Sequence, residues 1–234
     1  MEQEKAKIFL GEHRGLQQSE GYRGFRTFNF GNYFNEHKHS FGNLFALNED
    51  TLAGGHSLKT EVAADSVILL IPVVGTIQFM NREGHQELIA AGQTRIYNAS
   101  RGGFIRITNP FETELVNFLQ VWINPEAAGF FCQDTTIEFD LANNKNQLVS
   151  LTPSVCETSI PFRCAIGRFA GRTDLTYNVR NEKGQVFVFI LEGAFEVQNR
   201  LLHAKDGLAL WNSPAIEAEA LSKDAILLVI EPNC

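Results

Sequence analysis

The chain has 234 residues, of which 44% are hydrophobic and 20% are charged, and its formal net charge at pH 7 is −7. This length and composition are typical of a globular protein with a substantial core, arranged as one large domain or two modest ones. Lysine- and arginine-rich stretches are absent, so we expect neither nucleic acid nor a membrane surface as a partner.

The N-terminus, MEQEKAKIFL, is charged where a signal peptide would be apolar, and no apolar run reaches the roughly 20 residues that cross a bilayer. We therefore expect a cytoplasmic protein. Its four cysteines include no C-x-x-C pair, so neither a structural zinc site nor a redox motif is predicted. We expect reduced thiols, although Cys156 and Cys164 are close enough in sequence for a disulfide between strands.

Nineteen phenylalanines and nineteen glycines, with closely spaced turn signals, favour an all-β fold. The segment PEAAGFF (125–131) is the one stretch for which we expect a turn of helix. Five segments have the length and the apolar pattern of strands. They are ILLIPVV (68–74), QTRIYNA (93–99), NFLQVWI (117–123), QVFVFIL (185–191) and AILLVIE (225–231).

An internal repeat predicts two similar domains. Residues 68–100 and 186–214 share one order of elements: an apolar strand, a glycine turn, a strand, a second glycine turn and a strand. Gly75 and Gly193 lie 118 positions apart, and Gly92 and Gly207 lie 115 apart. Duplicated domains leave such a shared offset with small insertions or deletions. We predict two antiparallel β-barrels, over 1–131 and 161–234, joined by a polar, turn-rich linker over 132–160.

Several motifs resemble the pirin family, above all its bacterial branch of quercetinase-like bicupins. They are GYRGFRTFNFGNYF (21–34), IPVVGTIQF (71–79), AAGQTRIYNASRGG (90–103), LQVWINP (119–125) and DGLALWNSPAI (206–216). The resemblance implies two cupin barrels of the jelly-roll, or double-stranded β-helix, type. It also implies one iron or similar metal in the N-terminal barrel, held by three histidines and a glutamate. Some members oxidise flavonols such as quercetin with dioxygen, and others act as cofactors of transcription regulators.

The first pair of metal ligands that the resemblance implies, a His-x-His, precedes the glycine that corresponds to Gly75. It falls on Glu61 and Ala63 or, with a slip of one residue, on Thr60 and Val62. Neither alignment places a histidine there. Glu61 is the only one of these side chains that could supply a carboxylate oxygen, and one carboxylate does not make a metal site.

The second pair, a histidine and a glutamate two residues later, falls on Ile105 and Ile107 in the stretch YNASRGGFIRI (97–107). Residues two apart on a strand point to the same face, so both isoleucines are expected to fill the barrel without offering a metal ligand. On the strand LQVWI, Gln120 and Trp122 share one face and are further candidates for lining the pocket.

Two functions follow from these positions. The first is a bicupin that has lost its metal ligands, needs no cofactor and binds a small molecule or a protein, as a monomer or a homodimer. The second is a quercetin 2,3-dioxygenase-like enzyme that uses iron or another divalent metal. Its ligands would be relocated histidines, for which His37, His39 and His56 are the candidates.

Overall fold

The computed structural model of the chain describes residues 5–125, 133–153, 162–180 and 184–232. These residues form antiparallel strands joined by tight turns, as the sequence predicts, with a single short 3-10 turn at Gly11–His13 among them. All five predicted strands are present. The helical turn expected over 125–131 lies, except for its first residue, outside the described residues.

The strands of the first half of the chain begin close to the N-terminus. In order they are β1 (Ala6–Phe9), β2 (Gly15–Ser19), β3 (Tyr22–Arg26), β4 (Leu44–Leu52), β5 (Ser57–Glu61), β6 (Ser66–Val74), β7 (Thr76–Asn81), β8 (Gln86–Ala90), β9 (Gln93–Ala99), β10 (Phe104–Thr108), β11 (Val116–Ile123) and β12 (Thr135–Glu138).

The second half of the described chain continues the same pattern. Its strands are β13 (Leu148–Ser150), β14 (Phe162–Phe169), β15 (Thr173–Asn178), β16 (Gln185–Glu192), β17 (Ala194–Val197), β18 (Arg200–His203), β19 (Gly207–Trp211), β20 (Ala215–Ala220) and β21 (Ala225–Pro232).

The N-terminal unit comprises residues 15–138. Its large sheet has the order β12-β9-β6-β11-β4-β3-β2, and its small sheet has the order β5-β10-β7-β8. Side chains from both sheets meet in one core cluster, which includes Ile68, Phe79, Ile105, Phe118 and Trp122. Two sheets that share one core are the jelly-roll arrangement that the sequence predicts.

The C-terminal unit comprises residues 139–234 together with residues 1–14. Its large sheet has the order β1-β19-β16-β21-β14-β13, and its small sheet has the order β15-β20-β17-β18. Its core cluster again draws on both sheets and includes Phe169, Val188, Phe195, Leu208 and Val229.

The two units repeat one topology. The run β12-β9-β6-β11-β4 in the first corresponds to β1-β19-β16-β21-β14 in the second, and both small sheets follow the same order. In this correspondence β1 takes the edge position that β12 takes in the N-terminal unit. Because β1 pairs with β19, residues 1–14 belong to the C-terminal unit, which differs from the boundary expected from the sequence. The expected linker likewise contains β12 and β13.

The first of the two glycine pairs that predict the repeat, Gly75 and Gly193, occupies equivalent turns. Gly75 joins β6 to β7 with φ of +80°, and Gly193 joins β16 to β17 with φ of +78°. Only glycine adopts this left-handed conformation without strain. At Gly193 a side chain would also collide with its surroundings, because a Cβ would approach the Ser222 Oγ to 2.2 Å.

Two further expectations concern the cysteines and the membrane. Cys164 is a buried, free thiol on β14, and burial raises its pKa above the usual range. The other three cysteines lie outside the described residues. Within the part of the chain that the structure describes, no helix has the length and apolar character needed to cross a bilayer.

Candidate functional site

The strands β5 and β10 carry the positions at which the pirin resemblance implies metal ligands. They are neighbours in the small sheet of the N-terminal unit, with Ile105 opposite Thr60 and Ile107 opposite Leu58. Ile105 and Ile107 are fully buried in the core, at 0% and 1% exposure. Burial on this scale stabilises the fold by about 1.5–3 kcal/mol for each isoleucine.

Glu61 and Ala63 do not line the interior, and this part of the site prediction is wrong. Both are exposed, and the Glu61 carboxylate lies 2.5 Å from the Lys59 Nζ on the outer face. Val62 is buried in the core, and Thr60 points to the same face. Because side chains alternate along a strand, a shift of one residue exchanges the two faces. The alternative alignment, with Thr60 and Val62 inward, is the one that fits the structure.

The inward residues do not fit the metal that the family implies. Val62, Ile105 and Ile107 carry no donor atom, and Thr60 offers a single hydroxyl. A divalent iron or nickel ion requires several imidazole or carboxylate ligands that converge on one point. Among the described residues no three histidine, cysteine, aspartate or glutamate side chains are placed to hold a metal ion.

The histidines of the alternative hypothesis all lie on the surface. His37 and His39 are exposed in the loop between β3 and β4. His56 is exposed at the start of β5, with its Nδ1 3.0 Å from the Gly54 carbonyl oxygen. A Cβ at Gly21 would approach the His56 ring to 2.1 Å, so this imidazole packs against the β2–β3 turn. In this structure none of the three points into the core.

A buried polar network lies on the inner face of the large sheet and consists of Tyr22, Arg26, Asp50 and Gln120. Asp50 is at its centre, with a side chain that is 0% exposed. One carboxylate oxygen accepts hydrogen bonds from the Arg26 Nη1 at 2.7 Å and from the Tyr22 hydroxyl at 2.8 Å. The other accepts one from the Gln120 Nε2, also at 2.7 Å. Arg26 therefore neutralises Asp50 inside the core.

Gln120 and Trp122 lie where the sequence predicts, on the inward face of β11. The Trp122 indole donates to the Gln120 Oε1 at 3.1 Å, which joins the aromatic core to the polar network. The Trp122 ring also contacts two half-buried rings, those of Phe30 and Phe45, with centroids 5.2 Å and 6.0 Å away. Such contacts stabilise an aromatic cluster beyond its area burial.

Gly24 leaves the space that this network needs. A Cβ at this position would lie 2.2 Å from the Tyr22 hydroxyl, 2.4 Å from the Asp50 Oδ1 and 2.8 Å from the Arg26 Nη1. Burial, followed by the nearby Asp50 charge, raises the pKa of Tyr22 above its usual range. The phenol therefore stays protonated and donates its hydrogen to the carboxylate.

Tyr22, Arg26 and Asp50 were not predicted as site residues. A signal was present in YRGFR, where Tyr22, Gly24 and Arg26 alternate onto one face of β3. The partner aspartate could not be assigned, because the apolar start of β4 is followed by NED, which in the sequence is typical of the polar end of a strand, although β4 continues to Leu52. Only the pairing of β3, β4 and β11 brings these residues together.

The C-terminal unit has a groove on the outer face of its small sheet, with a volume of about 240 Å³. Its acidic lining includes Asp174, Glu196 and Glu217. Glu219 pairs across the strands with both Asp174 and Glu196, and its carboxylate lies 3.2 Å from the Arg172 Nη1. The groove is acidic but brings together no metal-binding set among the described residues.

Comparisons with known proteins agree with this architecture. A family model described as the quercetinase C-terminal cupin domain matches residues 162–231. The quercetin 2,3-dioxygenase of Escherichia coli K12 is 29% identical over 206 residues, which cover 86% of this chain and 88% of that protein. The crystal structure of YhhW from Escherichia coli matches with a TM-score of 0.85 at 20% identity, over 97% of both chains.

A second structure, the Escherichia coli bacterial pirin YhhW in complex with nickel(II), matches with a TM-score of 0.82 at 23% identity. This match covers 98% of the present chain and 100% of the other. The two structural matches establish the fold, and the sequence matches add the quercetinase-type C-terminal domain. Together they confirm the resemblance stated from the sequence: the chain has the two-domain fold of the bacterial pirin YhhW and is similar in sequence to quercetin 2,3-dioxygenases.

Proposed function

We propose that this chain is a pirin-like bicupin that binds a small molecule or a protein without a metal and does not oxidise quercetin. The observation that supports the proposal is the composition of the inward positions on β5 and β10. Thr60, Val62, Ile105 and Ile107 occupy the places where the family resemblance implies three histidines and a glutamate. Three of these side chains are buried hydrocarbon.

Oxygen chemistry at a cupin metal needs an ion held by several protein ligands, with a coordination position open to substrate or dioxygen. A single threonine hydroxyl cannot supply that set. The names of the relatives, quercetin 2,3-dioxygenase and a nickel(II) complex of a pirin, describe those proteins. Function depends on the residues of a site rather than on the fold that carries it, so a shared fold does not transfer the activity.

The competing function requires His37, His39 and His56 to converge on one metal ion. His37 and His39 are exposed in the β3–β4 loop, and His56 is exposed immediately before β5, where its ring packs on Gly21. Exposed imidazoles on separate segments would have to move together into the core, where the Asp50 carboxylate is already engaged by Tyr22, Arg26 and Gln120. The arrangement supports the metal-independent proposal over this alternative.

The proposal is tested with full-length protein that has been purified without chelators and then incubated with Fe²⁺ or Ni²⁺. Bleaching of quercetin and uptake of dioxygen are recorded, with the Escherichia coli quercetin 2,3-dioxygenase as positive control. We expect rates equal to those of buffer with the same metal. Metal-dependent turnover that a combined His37→Ala, His39→Ala, His56→Ala variant loses would overturn the proposal in favour of relocated ligands.

A further inference from the structure

We propose that the interior of the N-terminal unit holds a small planar molecule with a carboxamide or lactam edge, which pairs with the Asn48 side chain. The inference rests on the proposed function, because it names the ligand class of a cupin that works without a metal. It is carried by an unpartnered buried amide that lies between two members of the polar network.

Asn48 lies on β4, directly between two members of the network. Its cross-strand neighbours are Arg26 on β3 and Gln120 on β11. The Asn48 side chain is fully buried, and neither its Nδ2 nor its Oδ1 has a hydrogen-bond partner. Burying an amide without partners is costly, and native proteins rarely leave both of its atoms unbonded.

The groups around Asn48 cannot turn to satisfy it. The Gln120 amide is engaged at both ends, by Asp50 and by Trp122, and the Arg26 Nη1 is held by Asp50. Gly24 gives this arrangement its space, so a larger residue there would break it. The network is therefore preorganised, and the Asn48 amide remains available to another molecule.

The atoms without partners define the chemistry of that molecule. Asn48 presents one donor and one acceptor side by side, and the Arg26 Nε is a second buried donor with no partner. A carboxamide or a lactam offers the complementary acceptor and donor in the same plane. A carboxylate offers only acceptors, and the Arg26 charge is already neutralised by Asp50. The site therefore favours a neutral ligand over an anionic one.

The aromatic cluster beside the network suits a planar ring. Phe30 and Phe45 are half-buried and pack against Trp122, and the Arg26 guanidinium lies 6.0 Å from the Phe30 ring centroid. Because Asn48 is fully enclosed in this structure, the ligand enters by displacing the two half-buried rings, which then stack on it. Because Trp122 contacts both of these rings, its surroundings change when the rings move.

Benzamide is a suitable probe, since it joins a planar ring to a carboxamide. The chain has two tryptophans, so a Trp211→Phe variant of the full-length protein isolates the fluorescence of Trp122. We expect a saturable change in this fluorescence on titration with benzamide. Asn48→Leu in the same background should weaken the apparent affinity by at least about tenfold, and benzoate should bind wild-type Asn48 at least about tenfold more weakly than benzamide.

Two measurements guard against a merely structural effect. Asn48→Leu should raise the thermal unfolding midpoint, because it removes an unpartnered buried amide, so a loss of binding cannot be attributed to unfolding. Thr51→Val, on the same strand as Asn48 but on its other face, is the matched control and should bind benzamide as before.

No saturable response, or an equal response in Asn48→Leu, would overturn the proposal and leave at most a water on Asn48. A metal-containing protein that oxidises quercetin would instead refute the proposed function. The two failures are distinguishable, because the titration is made without metal.

Discussion

The two units share one strand order, yet their interiors differ in chemistry. The core of the C-terminal unit is hydrocarbon at the centre of its large sheet, where Val188, Leu208 and Val229 face inward. Its buried carboxylate, Glu231, lies near the end of β21 and accepts a hydrogen bond from the Tyr177 hydroxyl. In the N-terminal unit, the inner face of the large sheet carries four buried polar or charged residues: Arg26, Asn48, Asp50 and Gln120. The C-terminal unit therefore forms the same topology with an apolar sheet centre, so the polar residues at the centre of its counterpart are not demanded by the fold.

This difference has an energetic meaning. Moving a charged pair out of water costs several kcal/mol per ion, and hydrocarbon of the same shape is often as stabilising or more so. The Arg26–Asp50 pair, with side chains 4% and 0% exposed, thus offers the N-terminal unit little net stability. Because the Arg26–Asp50 pair adds little stability, its presence beside the unpartnered Asn48 supports a binding role for this interior.

The largest expected effect is the gain of a metal site where the interior is now aliphatic. A variant with Thr60→His, Val62→His, Ile105→His and Ile107→Glu places the family's ligand set on the inward face of β5 and β10. We expect it to bind about one Ni²⁺ per chain, measured by titration calorimetry.

Two controls test the assignment of the inward face. Ile105→His with Ile107→Glu alone should not bind metal, because the partner pair is missing. Adding Glu61→His and Ala63→His to that double variant should not help either, since those side chains point outward. Tight binding by either control would contradict the register described above.

Breaking the buried ion pair should give the largest loss of stability. Arg26→Met leaves the Asp50 carboxylate buried without its counter-charge, and we expect the free energy of unfolding to fall by about 3–5 kcal/mol. Urea denaturation measures the change. The matched control, Arg172→Met, breaks an exposed pair with Glu219 and should cost less than about 1 kcal/mol. Equal costs would show that Arg26 has no special electrostatic role.

Filling the space at Gly24 should have an intermediate effect. Gly24→Ala drives a methyl group into Tyr22, Arg26 and Asp50, and we expect a cost of about 1–3 kcal/mol in the free energy of unfolding. Gly171→Ala in the C-terminal unit meets nothing closer than 3.5 Å and serves as the control. A neutral Gly24→Ala variant would mean that the polar network rearranges freely.

The smallest effect concerns alkaline pH. Because burial and Asp50 raise the pKa of Tyr22, the unfolded chain loses this phenolic proton first, from about pH 10. The stability that Tyr22 provides is therefore complete below about pH 10 and declines as the pH rises. Since the side chain is only half-buried, solvent screening should keep this decline under about 1 kcal/mol per pH unit.

Urea denaturation at about pH 8 and about pH 11 measures this decline, and Tyr22→Phe should lose less stability over that interval than wild type. Equal losses in the two proteins would contradict the raised pKa of Tyr22.

The sequence predicted the duplicated fold well because its signals are local. Apolar strands and the glycines at 75 and 193 mark each repeat, and these glycines occupy equivalent left-handed turns. The face of β5 was harder to assign, because a single-residue slip exchanges Thr60 and Val62 for Glu61 and Ala63. The polar network was harder still, since Asp50 and Gln120 lie 70 residues apart and meet only through strand pairing.

The most direct test of the central claim is the metal content of the full-length protein, produced with added iron and purified without chelators or an affinity tag. Elemental analysis should give close to zero iron, nickel, copper and zinc per chain. A value near one metal ion per chain would contradict the account, and would direct attention to His37, His39 and His56 as ligands that reach the interior by a rearrangement of the β3–β4 loop.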